Sequence, residues 1–302
     1  MAIDPKHVAA ADTARKLYQS NLVDPSGDRA DWLRTLRVTR KTIAKALKAS
    51  ALLEKMEVAL MSNGAHNIVF RHLLAPPISQ DQFKLLCPEW PKSSEKSART
   101  VNSDAAIAAK KVLVGRLDPR FGIWLTQKRP PTRRELRTLL LHVSPLIASQ
   151  RLATGRRSDL AGGQEQLVID LLIPKGWTRL PSKLIDTRAA VAPKHFMHKT
   201  RFATGTTTHQ EVDIACGLKA TYVLAMECKV SNDETNSVKR INDVIKKSHA
   251  WKEHWGNFVI TAALLQGVIA PKDVQRLSDN GIEVFWSHDL EEFENWLEKK
   301  LA

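Results

Sequence analysis

Residues 211–234, EVDIACGLKATYVLAMECKVSNDE, constrain the fold more tightly than any other part of the chain. Two apolar, strand-like runs, near 210–216 and 221–230, flank a turn at Gly217-Leu218-Lys219, and they carry Asp213, Glu227 and Lys229. Charged residues are nearly absent from buried strands unless they are paired, bind a metal or do chemistry. Strand side chains alternate between faces, so Glu227 and Lys229 share one face while Cys228 points to the other. If residues 211–230 form a hairpin, Asp213 stands beside Glu227. Two adjacent carboxylates resist ionisation. A divalent cation removes the conflict. Mg²⁺ suits the pair, because it prefers oxygen ligands and often takes only one or two protein carboxylates. Such an ion activates a water and neutralises charge on a phosphate. Lys229 beside it orients or helps deprotonate that water and stabilises developing negative charge. An ordinary cross-strand salt bridge on a solvated face accounts for the same residues.

The acid-x-Lys spacing alone does not separate these readings. It occurs three times, at Asp4-Pro5-Lys6, Glu227-Cys228-Lys229 and Glu298-Lys299-Lys300, about what chance supplies at this composition. Only the middle triplet lies in an expected strand, so the neighbouring elements matter. Ser158 is placed to cap a helix through Leu160, Gln164, Leu167, Val168 and Leu171. A short strand is expected near Trp177–Leu180, then a basic, histidine-rich loop at 183–210. After the hairpin, Val238, Ile241, Val244, Ile245, Ser248, Trp251 and Trp255 mark one helix face. NFVITAALL reads as a buried strand. Pro271 and Asn280-Gly281 bound the next helix. IEVFWS is a strand, and Asp289 with Glu292 has capping-box spacing for a final helix. Three strands followed by strand–helix alternation predict an α/β fold, a mixed sheet with helices on its faces.

Residues 1–150 read as a mainly helical region, with 151–302 as a second domain. Asp28 is positioned to cap a helix through Trp32, Leu33 and Leu36, and Ile43, Leu47, Leu52 and Leu53 continue its apolar face. TIAKALKAS, residues 42–50, fits the first helix and turn of a helix-turn-helix, though without a turn glycine. It fits equally an amphipathic helix with Arg37, Arg40, Lys41, Lys45 and Lys48 facing water. Residues 87–100 read as a loop, KRPP (128–131) as a break, and Thr132 as the cap of the helix after it.

The net charge of +14 is uneven: residues 1–150 hold 25 Lys+Arg against 13 Asp+Glu, residues 151–302 hold 21 against 19. Such an excess suggests a polyanionic partner, nucleic acid before an anionic membrane surface, unless it is only a soluble basic face. No apolar run is long enough for a membrane span, and the N-terminus lacks a secretory pattern. Cys87, Cys216 and Cys228 are odd in number and far apart, which fits a reducing cytoplasm better than a disulfide framework or structural zinc.

With Val212-Asp213 and Glu227-Cys228-Lys229 in this order of elements, residues 158–302 resemble the PD-(D/E)XK nuclease superfamily. The order looks like its restriction-endonuclease-like αβββαβ core, with Val212 where the motif's name has proline. ECKVSNDETNSVKRIN is similar to type II restriction endonucleases of the XamI kind. The resemblance implies Mg²⁺-dependent, site-specific hydrolysis of double-stranded DNA, with Asp213, Glu227 and Lys229 catalytic. It places Asp213, Glu227 and Cys228 at the metal, and it adds Glu165 from the preceding helix as support for that site or for a second ion. Phosphate and guanine contacts are expected of Lys183, Arg188, Lys194, His195, His198, Lys199 and Arg201 in the basic loop, of Lys239 and Arg240, and of Lys41, Lys45 and Lys48. One site per chain and two strands to cut suggest a homodimer. Two rivals remain: a non-catalytic DNA-binding protein whose acidic pair is structural, and a repair or junction nuclease of the same fold.

Overall fold

The computed structural model describes residues 3–21 and 25–302. Its contacts divide into two compact units: residues 25–155, and helix α1 (Pro5–Asn21) together with residues 156–302.

The first unit is helical. It contains α2 (Pro25–Ala49), α3 (Met56–Ser62), α4 (Asn67–His72), α5 (Gln80–Leu86), α6 (Lys92–Ser97), α7 (Ser103–Arg116), α8 (Ile123–Thr126) and the start of α9 (Arg133–Leu172). Asp28 is not a cap. It lies in the first turn of α2, where its charge still favours the helix N-terminus. Residues 42–48 belong to the same 25-residue helix, and Lys41, Lys45 and Lys48 are exposed on it. The helix does not continue through Leu52 and Leu53. Ala51, Leu52 and Leu53 take positive φ values in a tight turn, and Trp124 donates its indole N–H to the Leu52 carbonyl at 2.8 Å. The segment 87–100, expected as a loop, contains α6. Glu95 from α6 and Arg71 from α4 form a buried ion pair at 2.9 Å.

Thr132 caps α9 as expected. Its hydroxyl accepts from Glu135 N–H, and the Glu135 carboxylate accepts from Thr132 N–H at 2.7 Å. The expected break before Ser158 is absent, because α9 runs for 40 residues through Pro145 and the Gly162-Gly163 pair. Each glycine costs about 1 kcal/mol in a helix. Burial of Val168, Ile169 and Leu172, about 1.5–3 kcal/mol for each fully buried side chain, offsets that cost.

The second unit is built on a seven-stranded mixed sheet: β1 (Thr178–Leu180), β2 (Leu184–Ile185), β3 (His195–Phe202), β4 (Gln210–Gly217), β5 (Val223–Ser231), β6 (Val259–Gly267) and β7 (Glu283–Trp286). The order is β1-β3-β4-β5-β6-β7, with β2 also paired to β3. Strands β3, β4 and β5 are antiparallel, and β5, β6 and β7 are parallel. Helices α10 (Glu234–Trp255), α11 (Pro271–Asp279) and α12 (Leu290–Leu301) complete the unit. This is the mixed sheet with flanking helices read from the sequence, with one correction. The stretch 183–210 is not a loop, since it contains β2 and the whole of β3, an inner strand parallel to β1 and β2 and antiparallel to β4. Its polar residues disguise it, yet Phe196, Met197 and Phe202 are fully buried.

Alternation sorts the sheet into two faces. Phe196, Ile214, Leu224, Met226, Leu264 and Phe285 meet α9 and α12. On the other face, Ala225 packs with Trp251 and Trp255 of α10, and Ala263 and Leu265 pack with Ile241, α11 and Ala11 and Ala14 of α1. Among the described residues no helix is long and apolar enough to cross a membrane.

Candidate active site

The site grows from the β4–β5 hairpin. Register runs Ile214↔Met226, Ala215↔Ala225, Cys216↔Leu224, so one further step sets Asp213 opposite Glu227. The hairpin closes at Gly217, where a side chain would collide with the carbonyls of Val191 and Ala192. Asp213 is half-buried, and its Oδ2 accepts from the backbone N–H of Cys228 at 2.8 Å. Glu227 is fully buried on the α10 face. Its Oε2 accepts from Lys229 Nζ at 2.7 Å and from Lys247 Nζ at 2.8 Å, whereas Oε1 is buried with no hydrogen-bond partner. Lys229 Nζ also lies 3.2 Å from Asp243 Oδ2. Four charges of alternating sign thus run Lys247–Glu227–Lys229–Asp243, two from β5 and two from α10.

Burial pushes the Glu227 carboxyl above its usual range; Asp213 adds to that and the two lysines oppose it. Burial works against the Lys229 ammonium too, but Glu227, Asp213 and Asp243 outweigh it and hold its pKa above normal. Lys229 is therefore an ammonium here, able to donate rather than to accept a proton. The Cys228 thiol points away from Glu227 into the apolar face. Burial, with Asp213, Glu165 and Glu227 nearby, raises its pKa strongly, and the thiol packs in the apolar cluster with Val168, Ile214 and Met226.

Glu165 is 5% exposed on α9. Its Oε2 accepts from His198 Nε2 at 2.6 Å and lies 3.1 Å from Lys199 Nζ. The Arg179 guanidinium donates to His198 Nδ1 at 3.0 Å, which assigns the proton to Nε2. Glu165 is thus already engaged by two side chains of β3.

The expected DNA-contacting residues do not form one surface. Lys183, His198, Lys199 and Arg201 cluster at the Asp213 end of β3, where Leu184 pairs with Arg201. Lys239, exposed, and Arg240, half-buried, lie in the first turns of α10, just before Asp243. Lys194 and His195 sit at the opposite end, where Lys194 N–H bonds to Gly217 O and His195 Nδ1 to Pro193 O at 3.0 Å. Arg188 stacks on Phe258, 3.3 Å from the ring centroid, before the start of β6. Lys41, Lys45 and Lys48 belong to the other unit.

Sequence reasoning missed Lys247, Asp243 and Arg179. A signal existed for Lys247: it follows Val244 by three and precedes Trp251 by four, on the face those core residues define. No comparable signal marks Arg179.

A sequence model of the XamI restriction endonuclease family matches residues 51–286, a span that contains Glu165, Asp213, Glu227, Lys229 and Lys247 but not Lys41, Lys45 and Lys48. The type II restriction enzyme XamI of Xanthomonas campestris pv. amaranthicola is 32% identical over 187 residues, 62% of this chain. The aligned part spans 66% of that enzyme's length. Protein VC1899 from Vibrio cholerae covers 88% of this chain and 56% of its own at 12% identity, with a TM-score of 0.29, too low to carry an argument.

Proposed function

We propose, from the premise that this chain belongs to the XamI restriction endonuclease family, that it is a type II restriction endonuclease cutting double-stranded DNA at a short specific sequence. The observation that carries the reading is the pairing of Asp213 with Glu227 and Lys229 across β4 and β5 within the family-matched span.

The residues fit a divalent cation, Mg²⁺ in our reading. Glu227 Oε1 is a buried oxygen without a partner, and Asp213 supplies a second hard oxygen donor beside it. Among the described residues no group of three or more His, Cys, Asp or Glu is arranged to hold a metal. Beyond Asp213 and Glu227, waters and substrate oxygens would supply the remaining ligands, as is common for this ion. Asp213 and Glu227 would hold it, and Cys228 would take part through its main chain, since its thiol faces the core. When bound, the cation polarises the phosphate and acidifies a water.

The chain's own groups then do the following. The Cys228 N–H fixes Asp213. Lys229, an ammonium between Glu227 and Asp243, donates to the phosphate oxygens as negative charge develops on them. Water gives up a proton to solvent as its oxygen forms the new P–O bond, and the bond to the departing sugar oxygen breaks as that oxygen takes up a proton from solvent. Glu165 supports this end of the sheet by holding His198 and Lys199. Residues 25–155, with 23 Lys+Arg against 10 Asp+Glu, grip the DNA backbone. Two copies act together, one per strand.

Digestion of several DNAs of known sequence with Mg²⁺, followed by sequencing of fragment ends, tests the reading. Discrete fragments with common ends are expected. A smear indicates a nuclease without site preference, and intact DNA indicates a binding protein.

A further inference from the structure

We propose that Lys247 is a positioning residue of the cleavage site, tethering Oε2 of Glu227 from α10 so that Oε1 stays free to face a cation. The inference rests on the nuclease reading above. Glu227 has no exposed surface, so packing and its hydrogen bonds, not solvent, set its orientation. Both bonds fall on the same oxygen, Lys229 at 2.7 Å and Lys247 at 2.8 Å. One donor from the same strand leaves the carboxylate plane free to turn. Two charge-assisted donors, one from β5 and one from α10, hold it.

The remaining oxygen is the unusual feature. Buried polar atoms are nearly always hydrogen-bonded, and Oε1 is not, although two ammonium groups lie on its twin. Lys229 is also shared with Asp243 at 3.2 Å. If Lys229 turns toward substrate, Lys247 alone keeps Glu227 compensated and in place. Its own position is built for this: Lys247 is 17% exposed, one helical turn beyond Asp243, while its neighbour Lys246 faces solvent.

The test uses the full chain and a supercoiled plasmid that the wild type linearises with Mg²⁺. Lys247→Met keeps the length and apolar stem, Lys247→Arg keeps the charge, and Lys246→Met removes a charge from the exposed neighbour. With enzyme in excess, Lys247→Met is expected to cut about tenfold more slowly or worse. Its affinity for a plasmid-derived duplex without divalent ions should stay within about twofold of wild type. Mg²⁺ should raise its unfolding temperature less than that of the wild type. Lys247→Arg should restore most of the rate, and Lys246→Met should match the wild type. Should the apolar side chain unfold the protein, Lys247→Gln carries the same comparison. Cutting by Lys247→Met at the wild-type rate overturns the inference and leaves the nuclease reading standing. A loss confined to DNA affinity, or one that Lys247→Arg does not repair, does the same. Undiminished cutting by Asp213→Asn removes the site itself and the inference with it.

Discussion

Asp213 Oδ2 accepts a 2.8 Å hydrogen bond from the backbone N–H of Cys228, the residue between Glu227 and Lys229. The bond ties the carboxylate of one strand to the main chain of the next. It keeps Asp213 from turning to solvent and sets its distance from Glu227. Asp213→Asn preserves an oxygen acceptor for that N–H and removes only the charge. Cleavage should fall about 100-fold or more, as it should for Lys229→Ala. DNA affinity without divalent ions should stay within about twofold. Single-turnover assays and gel shifts check both, and full cutting by Lys229→Ala would refute the assignment.

The basic excess of residues 25–155 predicts a steep salt dependence of DNA affinity. Each phosphate contact contributes a log–log slope of about −0.9. Lys41, Lys45 and Lys48 are all exposed on α2. Replacing the three with Gln should flatten the slope by about 0.9 for each one that touches phosphate. An unchanged slope across a salt titration would place this helix face in water rather than on DNA.

Acid should weaken the helical unit through His72. Its imidazole is buried, Nδ1–H donates to the Ile68 carbonyl at 2.6 Å, and burial, with Arg71 beside it, pulls its pKa down from 6.5 to about 4. Below pH 6.5 the unfolded chain binds a proton that the folded chain refuses. Stability from this group is therefore complete above pH 6.5, falls as pH drops toward 4, and then levels off. The slope reaches ~1.4 kcal/mol per pH unit and the total is about 3 kcal/mol. Denaturant titrations of wild type and His72→Gln at pH 7 and pH 5 should show the smaller acid loss in the variant. Equal losses would contradict the assignment.

The homodimer is checked by subunit mixing. Active protein is combined with excess Lys229→Ala protein, and a plasmid with one site is digested. Mixed pairs with independent sites should leave nicked circles, with linear product falling as the variant fraction rises. A product ratio indifferent to the variant, together with one chain per site in sedimentation, speaks for a monomer cutting the strands in turn.

Where local physics decides, the sequence was legible. Thr132 with Glu135 and Asp289 with Glu292 mark real helix starts, because a cap is settled within four residues. Pro271 opens α11 and Gly281, at a φ of +63°, follows its end, because backbone freedom belongs to the residue itself. The two hairpin strands and the shared face of Glu227 and Lys229 follow from a period of two. Tertiary structure decided the rest. Polar, basic residues 195–202 became an inner strand because β1, β2 and β4 satisfy its backbone and four of its side chains, Phe196, Met197, Thr200 and Phe202, are buried. A helix persisted through Pro145 and two glycines because its far end is buried against the sheet. Glu165 met His198 across 33 residues, and Lys247 met Glu227 across 20. A buried charge is tolerated only with its counter-charge, and no local pattern in a chain names a partner that folding alone brings near.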